Sequence, residues 1–226
     1  MVTNTFRSRL LPLLSPTELV VIKKLSSPQK IQDFLDSFPV NFSPIGEPVQ
    51  SPAQVLKYKR AHCIEGAILA AAALTYHGRE PLLMDLQASD DDEDHVVALF
   101  KEGKFWGAIS KTNHPILRWR DPVYGSVREL AMSYFHEFYL WDVTHNTIKV
   151  GKKKGKKTLR AYSKPFNLAR YKPELWWNVS DLDWLAEALD ASPHFPLLPK
   201  NMIKKLRSAS KLEIKAASLS EWKINF

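Results

Sequence analysis

Residues 60–78 read RAHCIEGAILAAAALTYHG and contain the only cysteine of the chain, Cys63. From Ile64 to Tyr76 the run is apolar on nearly every side, and a helix that is apolar all round is a buried one. Its alanines would let a sheet approach closely. Cys63 stands at the start of this helix, where unsatisfied N–H groups and the macrodipole favour a thiolate. Thiol pKa values at such positions can fall from ~8.5 to about 3.5–7.5. Cys63 reads either as a nucleophile or as a small buried hydrophobe, the usual station of a free cysteine.

Downstream of this helix come three strand-like runs, PLLMDLQA (81–88), HVVALF (95–100) and KFWGAIS (104–110). Gly103 in the link KEGK is a hairpin signal. Symmetric closure of that link sets Phe100 opposite Phe105 and His95 opposite Ser110, so the two side chains would pair across the strands. Cys63, His95 and the residue facing His95 would then be nucleophile, base and orienting group.

Upstream, Ser15-Pro16 and Ser27-Pro28 each place an N-cap before proline at the first helical position, which predicts helices over 16–25 and 28–37. Residues 39–52 hold four prolines and read as an ordered loop, with a short helix over 53–58. Further on, the spacing predicts a helix over 127–139, a second hairpin over 141–163 around GKKKGKK, and an amphipathic basic helix over 200–217. Helices, a buried helix and an antiparallel meander make an α+β chain. The expected organisation is one domain over 1–226, with a core over about 53–165, a helical N-terminal extension over 1–52 and a basic helical tail over 196–226.

The chain has 226 residues and a net charge of +8. Residues 149–172 hold ten Lys and Arg and no acid, and the tail from 196 adds further basic residues, so the remainder is net acidic. Basic character thus belongs to a loop and a tail. A weak polyanion contact through Lys152, Lys153, Lys154, Lys156 and Lys157 is one reading, a solvated turn the other. One cysteine excludes an internal disulfide and fits a reducing compartment. There is no long apolar leader and no run of roughly 20 apolar residues, so a cytoplasmic protein without a membrane span is expected.

Nucleotide-binding glycine loops and paired-cysteine zinc motifs are lacking, and no cofactor or metal is expected. The acids of SDDDEDH (89–95) read as a solvated loop, since their spacing does not match a calcium-binding EF-hand loop. Glu65 reads as complementing the helix dipole, with a salt bridge to Arg60 or a role as a pocket acid as alternatives. His62 adjoins the thiol in sequence but is expected to point elsewhere.

The segments HCIEGAILAAAAL, PLLMDL, DDEDHVVALF, WGAISKTN and PVYGSVRELAMSY together resemble uncharacterised bacterial proteins of the transglutaminase-like (papain-like) superfamily, over roughly 26–165. RAHCIE is also similar to arylamine N-acetyltransferases of that superfamily. The resemblance implies a papain/transglutaminase-like core, Cys63 as nucleophile, His95 as base, and a cysteine-dependent acyl transfer or amide/peptide hydrolysis on a protein or peptide-like substrate. The third position of the superfamily normally carries aspartate. Here it is Ser110, with Asn113 or the more remote Asp121 as substitutes. A hydroxyl can hold the tautomer of an imidazole but brings no negative charge. A catalytically inactive binding module on the same scaffold, holding a protein or a polyanion, is the alternative.

Overall fold

Ser15, Ser27 and Ser51 each stand at the start of a helix and are able to satisfy its orphan N–H groups. In the computed structural model, which describes residues 2–42, 47–140 and 154–222, α1 spans Val2–Leu10, α2 Pro16–Lys24, α3 Pro28–Asp36 and α4 Pro52–Tyr58. Ser15 and Ser27 cap α2 and α3 with their hydroxyls, and Glu18 closes a capping box on Ser15. Helix α5, Cys63–Tyr76, buries all fourteen of its residues, as an all-apolar helix must.

Next come β1 (Leu82–Gln87), β2 (His95–Glu102), β3 (Phe105–Ile109) and β4 (Arg120–Tyr124). Helix α6 covers Val127–Ser133, followed by β5 (Ala161–Ser163), β6 (Phe166–Asn167), α7 (Asp183–Asp190), β7 (His194–Pro196), α8 (Lys200–Ile203) and α9 (Lys211–Ala217). The strands form one antiparallel sheet in the order β4-β3-β2-β1-β5-β7, with β6 also on β1. The chain is therefore α+β.

Apolar residues alternate along the central strands, and both faces of the sheet are covered. Leu83, Val96, Ala98, Phe100 and Ile109 join the core that contains α5. Leu82, Met84, Leu86, Val97, Leu99 and Ala108 join the one containing Leu130, Ala131 and Tyr134 of α6 and the turn after it.

The predicted hairpin forms in a different register. Phe100 pairs with Gly107 and Glu102 with Phe105, so the two-residue loop is Gly103-Lys104, one position later than symmetric closure of the link implies. Gly103 has φ 58, the left-handed geometry that a glycine takes at the first central position of a tight hairpin turn. The pairing slips by two residues, which preserves the face of every side chain.

The predicted helix over 127–139 stops at Ser133, because the chain turns so that Tyr139 can bridge to Lys157. The expected helix over 200–217 is two short helices. Between them Ala209 donates its N–H to Gly155 O at 2.8 Å, and Ser210 caps the second helix. Most of the expected second hairpin over 141–163 lies outside the described residues. Its end, β5, pairs with β1 and β7. Beyond the expected core of about 53–165, β7 is a strand of the main sheet, and Trp176 and Trp177 are fully buried in the core with Phe6. No helix among the described residues is long and apolar enough to cross a membrane.

Candidate active site

His62 is the N-cap of α5, and the Glu65 carboxylate reaches back to accept its backbone N–H at 2.6 Å. Glu65 is buried and also accepts from Gln50 N at 2.8 Å and from Asn41 Nδ2 at 3.2 Å. The acid in the first turn thus ties the start of α5 to the described parts of the proline-rich loop. Burial raises its pKa, against hydrogen bonds from His62, Gln50 and Asn41.

The turn so formed places Cys63 at the first helical position, 9% exposed. Contrary to the expectation that it points away, the exposed His62 ring lies against the sulfur, with Nδ1 3.4 Å from Sγ. Burial opposes a thiolate at Cys63, but His62 and, from β2, the side chain of His95 outweigh it and hold the thiol well below its ordinary range. Reciprocally, the sulfur charge pushes His62 up to about 9. The contact thus favours a thiolate beside an imidazolium.

His95 opens β2 and is buried, and its Nε2 lies 2.8 Å from Ser110 Oγ. The contact is diagonal across the hairpin instead of directly opposite, as the two-residue slip requires. Its direction follows from the next link. Ser110 Oγ lies 2.5 Å from Leu117 O, which can only accept. The single hydroxyl proton goes there, so the hydroxyl accepts from Nε2–H of His95. In the neutral ring Nδ1 is then the nitrogen free to take a proton.

Leu117 holds a left-handed conformation, φ 59, that a leucine rarely adopts. Its N–H donates to Glu137 Oε2 at 2.6 Å, and Glu137 Oε1 meets Arg120 at 2.6 Å. A charged pair thus secures the residue whose carbonyl orients Ser110.

Asn113 is not brought to His95. Its amide clamps Trp222, donating to Trp222 O at 3.0 Å and accepting from Trp222 N at 2.8 Å. Asp121 accepts the Trp119 indole N–H at 3.0 Å. Lys111, adjoining Ser110, is buried and donates from Nζ to Leu35 O and Phe38 O at 2.8 and 2.5 Å, which holds the end of α3 against β3. A hollow of about 680 Å³ between α2 and α4, lined in part by Glu18, Gln54 and Tyr58, does not include Cys63 or His95.

The basic and acidic loops are less free than their charges suggest. Lys156 pairs with Asp91 at 2.5 Å, and the buried Lys157 donates to His136 O at 2.5 Å. Asp92 accepts from Thr158 at 2.6 Å. Lys152 and Lys153 lie outside the described residues, and Lys154 is exposed. Sequence reasoning missed the His62 contact, whose signal was adjacency to the thiol, and missed Leu117 and Glu137, for which no sequence signal exists. No family model matches the chain, and no curated protein does.

Proposed function

We propose that the chain is a cysteine-dependent acyltransferase or amide hydrolase on a papain/transglutaminase-like scaffold, acting on a protein or peptide-like acyl donor. The thiolate of Cys63 attacks the donor carbonyl, and the developing oxyanion is held by backbone N–H groups at the start of α5, including that of Cys63. His95 takes the proton of the Cys63 thiol on Nδ1 as the thiolate forms and delivers it to the leaving amine as the C–N bond breaks, which leaves a thioester on Cys63. His95 then deprotonates water or an acceptor amine, whose attack releases the acyl group and restores the thiolate. His62 keeps the sulfur charged between turnovers.

The observation that carries this reading is the directed relay from Leu117 O through Ser110 Oγ to Nε2–H of His95, which gives the ring the one tautomer a base at Cys63 needs. Incubation with activated acyl donors, followed by mass spectrometry of the intact chain, is the test. One acyl adduct on Cys63, discharged by hydroxylamine and slowed about 100-fold or more in His95→Gln, is expected.

A binding module is the second reading. The 9% exposure of Cys63 and the hydroxyl in place of a carboxylate favour it. It predicts no adduct with any donor.

A further inference from the structure

Three segments bring carboxylates together beside β1, one of them next in sequence to His95. Asp85 is in β1, Asp94 immediately precedes β2, and Asp190 ends α7. One carboxylate oxygen of each lies within 4.8 Å of the others. Asp85 is the unusual member. It is fully buried, its Oδ2 meets His194 Nε2 at 3.0 Å, and its Oδ1 has no hydrogen-bond partner among the described residues. Nδ1–H of His194 is spent on Ser192 O at 2.7 Å, so one proton at most lies between His194 and Asp85. An orphaned oxygen in a buried carboxylate costs free energy unless a proton or cation meets it. Asp94 and Asp190 are exposed, which leaves the cluster open on one side to solvent.

We propose that Asp85, Asp94 and Asp190 bind one hard divalent cation of the calcium class. Oxygens up to 4.8 Å apart are spanned by metal–oxygen distances of ~2.3–2.6 Å, whereas magnesium, at ~2.0–2.1 Å, spans less. The remaining coordination positions face solvent and take water. The ion gives Asp85 Oδ1 its missing partner and joins β1, the loop before β2 and the end of α7. Asp94 already accepts the Ala88 N–H through Oδ1 at 2.7 Å, so its other oxygen serves the ion.

The test is thermal unfolding of the full chain, stripped with EDTA and returned to CaCl2, MgCl2 or NaCl at equal ionic strength, with calorimetric titration for stoichiometry. CaCl2 100-fold above its Kd should raise Tm by roughly 5 °C or more, MgCl2 should raise it less, and titration should give one ion per chain. Asp190→Asn, at an exposed helix end, should abolish the shift while its own cation-free Tm does not fall, since it removes a negative charge from the negative end of α7. Asp94→Asn should also abolish the shift. No shift beyond that in NaCl, a larger shift with MgCl2 than with CaCl2, or a shift that survives in both variants would overturn the proposal.

Discussion

At Cys63 two imidazoles act on one sulfur, and they do different work. His62 touches it at 3.4 Å and leads the forces that favour the thiolate, whereas His95 is fixed by Ser110 in a tautomer suited to proton transfer. The sign follows directly. A cation beside the sulfur favours its ionised form, so reactivity persists as pH falls below the ordinary thiol range, where a normal thiol with pKa ~8.5 is almost wholly protonated. The pH profile of iodoacetamide alkylation should therefore have its midpoint well below that of a free thiol, although a cysteine only 9% exposed reacts slowly in absolute terms. His62→Gln should move the midpoint up by at least about one unit, a tenfold loss of rate on the acid limb. His95→Gln should move it less yet cost far more in acyl transfer. A wild-type midpoint at the free-thiol value would remove the ion pair from the account.

At the scale of elements, close approach is the recurring demand. A Cβ on Gly66 in α5 would lie 2.8 Å from Lys111 Cβ, and Lys111 cannot yield because its ammonium is held by two carbonyls at the end of α3. Gly66→Ala should thus destabilise the fold by about 1–3 kcal/mol in urea denaturation, although alanine would gain about 1 kcal/mol in a free helix. Gly107 is the sheet counterpart. The ring of its partner Phe100 lies across it, stacked on Trp119 at 5.0 Å, and an added Cβ would come within 2.8 Å of two ring carbons. Gly107→Ala should cost a similar amount, and a neutral result would mean that the ring can shift aside. These contacts also mark where sequence reading ends. Serine caps and an all-apolar run make α2, α3 and α5 legible. The β2–β3 hairpin is legible too, but its register is not, because Gly103 can sit at either central turn position. Strands β4 and β7 are short, largely exposed and contain Pro122 and Pro196, features that argue against a strand. Of the site, Cys63 is marked by the helix start and His95 by the strand start, whereas Ser110 meets His95 on a diagonal and not by the direct pairing expected from the sequence. Leu117 is not marked at all, since nothing in a leucine announces a left-handed backbone.

At the scale of the whole molecule, the C-terminal segment belongs to the body and not to a free tail. Tyr139 donates its hydroxyl to Glu213 O at 2.8 Å, and Ala209 and Ala217 pack with Tyr139, Ile116 and Ile214. Beyond α9 the fastening is Asn113, whose amide donates to and accepts from Trp222 while its carbonyl accepts from Glu221 N at 2.9 Å. Arg118 adds ion pairs to Glu221 at 3.4 Å and Asp36 at 3.6 Å, which salt will screen. Asn113→Ala removes both side-chain bonds and leaves a backbone N–H and C=O unpaired, a loss of about 1–3 kcal/mol to local docking. Limited trypsin digestion at Lys215 should accelerate about tenfold, because cleavage follows the population of the opened segment, while the global unfolding midpoint changes little. The alkylation profile of Cys63 should not move, since the Asn113 amide faces Trp222 and not His95. A variant that digests like wild type but loses acyl transfer would instead make Asn113 the residue that orients the base, with the present contact to Trp222 released during turnover.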